Sequence, residues 1–121
     1  MIKHLKFVSI PVRNQDSALK FWCERVGFKV ATDQPFNETQ RWIELKIPGA
    51  ATAVVLFTQP GQESRIGTFF NGSFHCDNLQ TTYEEMKSRG VEFEQPPKIE
   101  PWGSMAIFKD LEGNSFVLSS N

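Results

Sequence analysis

Cysteine, histidine, tyrosine and surplus charge are all scarce in this chain. Only Cys23 and Cys76 occur among the 121 residues, far apart and outside any CxxC pair. They read as small buried hydrophobes rather than a redox couple or a disulfide framework. The two histidines, His4 and His75, form no pair with a recognisable metal-ligand spacing, and no Ser-His-Asp or Cys-His arrangement is supported. No glycine-rich phosphate loop is present. Thirteen basic against fourteen acidic side chains leave a net charge of −1 and no basic stripe, so no nucleic-acid partner is expected. No stretch approaches the roughly 20 apolar residues of a membrane-spanning helix, so no membrane partner is expected either. Residues Met1–Phe7 lack the apolar core of a signal peptide, which points to a cytoplasmic location.

What the chain does contain is phenylalanine: eleven Phe and three Trp against one Tyr. That balance suits either a Phe-heavy core or a pocket lined by rings. Residues 5–12 are mostly β-branched and apolar and predict a strand, with Pro11 near its end or on a free edge. Asn14 and Asp16 offer N-caps, and Ala18, Leu19, Trp22 and Val26 form one apolar helical face that Gly27 should close. Phe28–Ala31 predicts a short strand and 32–40 a polar loop. Strands follow over 41–47 and 53–58, joined by a turn at Pro48-Gly49.

After a linker at 59–67 the order recurs. Thr68–Cys76 is strand-like. Leu79, Tyr83 and Met86 lie at helical spacing, with a possible Thr81/Glu84 capping box and Gly90 as the stop. Val91–Glu94 predicts a short strand, Gln95–Pro101 a stiff loop, and 104–109 and 115–119 a hairpin about the turn 110–114. The two β-α-β-β-β series run at an offset of about 61–64 residues. The chain therefore reads as one domain, 1–121, of two half-repeats, roughly 4–58 and 68–120, in the α+β class.

Three stretches now carry a resemblance. Ile10-Pro-Val12 runs into Ala18-Leu-Lys-Phe-Trp22 and Val26-Gly-Phe28. Phe74-His-Cys-Asp-Asn-Leu79 runs into Tyr83-Glu-Glu-Met86 and Arg89-Gly-Val91. Asp110-Leu-Glu-Gly-Asn114 follows. In this order and spacing they resemble the vicinal oxygen chelate superfamily, the group of glyoxalases, bleomycin-resistance proteins and extradiol dioxygenases. Trp22 stands where that family usually has Tyr, and Leu111 where it has Pro. The resemblance implies paired βαβββ modules whose curved mixed sheets enclose a cleft. In catalytic relatives, four inward-facing His, Gln or Glu side chains hold a divalent metal there, as a Lewis acid for the substrate.

Carried over one by one, those four positions fall on Phe7, Leu56, Asn71 and Val117. Three are hydrocarbon, and an Asn carbonyl alone is a poor anchor for Zn²⁺ or Fe²⁺. A slip of one residue reaches Lys6, Val8, Val55, Phe57, Phe70, Gly72, Phe116 or Leu118, none of them His, Glu, Asp or Cys. No metal and no cofactor are expected. Phe7, Leu56 and Val117 would then floor the cleft or serve as core. Trp42, opening a strand after the polar loop, and Trp102, between Pro101 and Gly103, are candidates for ligand contact. Glu44 shares Trp42's strand face, and Ile43 and Leu45 take the other. His75 reads as an exposed or hydrogen-bonded sheet histidine that could still reach a ligand.

The expectation is a protein of the glyoxalase/bleomycin-resistance type that binds a small apolar or aromatic molecule without transforming it. A homodimer is implied by the resemblance. The rival reading is a glyoxalase-like lyase with Glu44 or His75 as its base, and a third is a partner-binding module whose cleft is filled by Phe and Trp.

Overall fold

The computed structural model describes residues 1–121, which divide into two compact units, residues 1–66 and 67–121. The first unit is built from β1 (Phe7–Ile10), α1 (Gln15–Lys20), β2 (Lys29–Pro35), β3 (Arg41–Lys46) and β4 (Ala53–Leu56). The second is built from β5 (Phe69–His75), α2 (Leu79–Ser88), β6 (Glu92–Glu100), β7 (Gly103–Lys109) and β8 (Ser115–Ser120). Each unit holds one four-stranded sheet, in the order β1-β4-β3-β2 and β5-β8-β7-β6. Within each, one pair is parallel (β1 with β4, β5 with β8) and the rest antiparallel. The class is α+β with mixed sheets.

Both helices begin on an asparagine. The Asn14 side chain accepts from the Ser17 amide at 3.0 Å, and that of Asn78 accepts from the Thr81 amide at 3.0 Å. Each occupies one of the orphan donors that a helix start leaves open. The second helix therefore starts earlier than a Thr81/Glu84 box would put it: Thr81 is inside the first turn, as donor rather than cap. Beyond α1 the chain widens into a π-helical stretch, Phe21–Val26, and Gly27 closes it at φ +98°. The amides of Gly27 and Phe28 both donate to the Trp22 carbonyl. This brings Phe28 back over Trp22, their rings stacked at 5.3 Å, with Phe21 edge-on to Trp22.

Two predicted loops are strand instead. β2 continues through 32–35 and β6 through Gln95, Pro96 and Pro97 to Glu100. Both are edge strands, and both carry register irregularities, at Val30/Thr32 and across Phe93–Lys98. On an edge, a proline's missing amide can face away from the ladder, so proline does not end the strand.

In the first unit Ile10, Trp22, Ile43, Leu45, Val54, Val55 and Leu56 are fully buried, and Phe21, Phe57 and Ala18 are nearly so. Gln15 ties the start of α1 to the sheet. Its amide nitrogen donates to the Leu56 and Arg41 carbonyls at 2.8 Å each, and its oxygen accepts from the Arg41 amide at 2.9 Å. In the second unit Ala106, Phe108, Phe116, Leu118, Leu79 and Met86 form the core. Phe93, Phe108, Phe116 and Phe74 run through it in successive ring contacts of 5.2–6.2 Å.

The 110–114 turn closes around Asp110, which is buried. One of its oxygens accepts from the Glu112 and Asn114 amides at 3.0 and 2.8 Å, and the other from the Asn114 side chain at 2.8 Å. Asn114 in turn accepts from the Gly67 amide at 2.8 Å. Burial pushes the Asp110 carboxyl up, against these hydrogen bonds that pull it down. The folded state thus holds its proton more tightly than the unfolded chain, and this group's contribution to stability falls as pH rises through the folded value. Asp110→Ala would leave buried donors unmet and should cost about 1–3 kcal/mol in denaturant unfolding, and no loss of midpoint would refute that role. At Gly103, with φ +143°, an added Cβ would come within 2.5 Å of the Ser120 carbonyl oxygen. Gly103→Ala should likewise lower the melting temperature by an amount equivalent to roughly 1–3 kcal/mol, and an unchanged melting curve would show that the β7–β8 end yields freely.

Candidate functional site

Strand register decides which side chains share a face. In the first sheet Phe7 lies opposite Ala53, Ser9 opposite Val55, and Glu44 opposite Val55. Ile10 lies opposite Leu56, and Val8 and Leu45 both lie opposite Val54. One face therefore carries Phe7, Ser9, Val55, Glu44 and Trp42, and the other Val8, Ile10, Val54, Leu56, Ile43 and Leu45. Leu56 stands on the second face, wholly inaccessible in the core with Ile10 and Leu45. The expectation that it shares a floor with Phe7 is corrected by one residue: Val55 and Phe57 are in phase with Phe7.

On that first face four rings meet. Trp42 touches Phe7 edge-on at 5.5 Å, Phe57 at 5.2 Å and Phe36 at 5.9 Å, and Phe36 meets Phe57 at 5.0 Å. Such separations are those of rings packed on one another, leaving no gap between them for a guest. The outward surface is another matter, because Phe36 is 60% exposed and Trp42 is only half-buried. The Trp42 indole nitrogen donates to Glu44 at 3.4 Å, which aims the one carboxylate of this group along the ring. Phe36 is held by a tight turn in which its own amide and that of Asn37 both donate to the Gln40 carbonyl.

Phe36 and Phe57 were not among the residues singled out from sequence. Phe57 was recoverable, since it alternates with Val55 on the strand, and parity with Phe7 selects it once the register is known. Phe36 had no such signal, sitting between proline and asparagine in a polar stretch.

In the second sheet Val117 lies opposite Ile107 and Ser73, and Ser119 opposite Met105 and His75. Val117 and His75 therefore share a face, with the Ser73 and Ser119 hydroxyls bonded to each other at 2.8 Å between them. Val117 is half-buried and His75 exposed. Asn71 is exposed within the irregular part of β5, between Phe69 and Ser73. Trp102 lies in the β6–β7 turn, 61% exposed, and Ile99 beside it is 87% exposed. The structure thus gathers Phe7, Trp42 and Glu44 in one unit and Val117 with His75 in the other, and leaves Trp102 on a turn.

These residues do not fit a divalent metal. The first face offers one carboxylate among rings, and the second offers one imidazole between two serines. Nowhere do three or more His, Cys, Asp or Glu side chains converge as a ligand set. A tetrahedral Zn²⁺ site takes at least three such donors from the protein.

Comparison with known proteins places this architecture. The glyoxalase/bleomycin resistance protein/dioxygenase superfamily model matches residues 2–118. The YetH protein of Bacillus subtilis strain 168 is 36% identical over 118 residues, covering 98% of both chains. A superfamily member from Sphaerobacter thermophilus superposes with a TM-score of 0.89 at 28% identity, over 99% of this chain and 98% of that one. TnmS3, an antibiotic binding protein from Streptomyces sp. CB03234, does so at 0.84 and 31% identity, over 98% and 96%. With its two β-α-β-β-β units and a match along nearly its whole length, the chain belongs to the glyoxalase/bleomycin resistance protein/dioxygenase superfamily.

Proposed function

We propose that this protein binds a small planar aromatic molecule on the outward surface of the Trp42–Phe36 ring group and does not transform it. The observation that carries the proposal is that four rings cluster on the sheet face bearing Phe7, with Glu44 as the only carboxylate of that face. A face of this kind has stacking surface and one carboxylate, with Lys46 at its far end, to orient a guest, but no set of donors to activate one. The antibiotic-binding relative supports a binding role by similarity. The remaining predicted positions, Asn71, His75, Trp102 and Val117, belong to the proposal as secondary contacts. It also includes a cytoplasmic location and a homodimer.

The check is a fluorescence titration of the intact protein with 9-aminoacridine and 1-naphthol. Saturable quenching is expected, with Trp42→Ala weakening it by roughly tenfold, the scale of one ring contact plus its buried area. Phe36→Ala, on an exposed ring, serves as the variant least able to disturb folding, and it should weaken binding in the same direction. Unchanged affinity in both variants would refute the site. Tight, stoichiometric uptake of Zn²⁺, Ni²⁺ or Fe²⁺ in a parallel titration would refute the metal-independent reading.

A further inference from the structure

A second feature of the first unit lies beside the turn that holds Phe36. Residues 12–13, 37–40 and 58–66 wall a hollow of about 410 Å³, within the range of small-molecule sites. Its frame is rigid. The Thr58 hydroxyl accepts from the Val12 amide and donates to the Val12 carbonyl, both at 2.9 Å. The Gln40 side chain bonds the Thr58 carbonyl and amide at 2.8 and 2.9 Å. Strand end, loop and linker are therefore fastened to one another through the side chains of Thr58 and Gln40.

Three polar groups on the lining are differently placed. Arg13 makes no ion pair and no hydrogen bond, whereas Arg41 in the same unit is committed to Asp16 and Asp33 at 2.8 and 2.9 Å. The Asn37 oxygen accepts from the Thr39 amide and hydroxyl and the Gln40 amide at 2.8–3.1 Å. Those donors fix which end of the amide is oxygen, so its NH₂ group is held in position with no acceptor of its own. Both Glu63 oxygens accept from the Gly61 amide at 3.1 Å, which anchors the carboxylate without giving it a cation. The hollow thus offers a free guanidinium, an amide donor and a carboxylate that do not pair with one another. Val12, Pro60 and Ile66 supply its apolar wall.

We propose that this hollow is a binding site for a zwitterionic small molecule of the amino-acid type with an apolar side chain. Its carboxylate lies against Arg13 and Asn37, its ammonium group against Glu63, and its side chain against Val12, Pro60 and Ile66. Guanidinium and carboxylate match as planar forks, and each charge on the guest meets an uncommitted opposite one. A lone anion would meet Glu63 unfavourably, and a lone cation Arg13. The site does not depend on the ring-group proposal.

The test uses the full chain and L-leucine, L-glutamate, phosphocholine and acetate as probes, followed by calorimetry and by amide chemical shifts. L-Leucine is expected to bind, with shifts at residues 12–13, 37–40 and 58–66, and to bind more tightly than L-glutamate, phosphocholine or acetate. Arg13→Gln and Glu63→Gln, both at exposed positions, should each weaken it roughly tenfold or more, and Lys20→Gln should leave it unchanged. Failure of L-leucine to bind would overturn the proposal. So would equal binding of acetate, preference for phosphocholine or L-glutamate, or retention of L-leucine by either variant. Loss of aromatic-probe binding in Trp42→Ala bears on the other site alone.

Discussion

The parallel registration of β1 on β4 is the constraint from which the rest of the first unit follows. Setting Ile10 against Leu56 and Phe7 against Ala53 fixes the parity of the whole sheet. A slip of one residue would exchange the two faces, turning Val54 and Leu56 away from Ile10 and Leu45 and putting Val55 in their place. Gln15 reinforces this choice, since it binds the backbone of Leu56 and Arg41 at once and so locks α1 to two strands in one register. The aromatic face is what remains when every other aliphatic position has been claimed by the core.

The same constraint separates what holds the first sheet together from what its other face presents. The face of Phe7, Trp42 and Glu44 is the more open of the two, although Val55 within it is fully buried. Side chains there can vary while Ile10, Ile43, Leu45 and Leu56 keep their packing on the opposite face. Fold and site are separable in this architecture, so membership of the superfamily fixes the first and not the second.

Much of the fold was legible in the sequence. The β-α-β-β-β series, the Gly27 and Gly90 stops and the 110–114 turn rest on local chemistry that a single chain displays. Two features were not legible for a stated reason. Proline in 32–35 and 95–97 reads locally as loop, and only the edge position of β2 and β6 makes strand compatible with it. Leu56 reads as inward-facing by analogy, but parity is set by a partner strand more than forty residues away. The site was partly legible. Trp42 and Glu44 were found by alternation on one strand. Phe36, Arg13 and Glu63 come from segments without periodicity, and nothing local marks them as neighbours.

The prolines of β6 have a consequence beyond that strand. An outer strand ordinarily presents alternating amide hydrogens to any chain that drifts alongside. Positions 96 and 97 have none to give, and the irregular register on either side spoils the spacing of those that remain. A second molecule seeking to prolong this sheet across β6 would find a broken template, so runaway stacking along that border is discouraged by covalent structure alone.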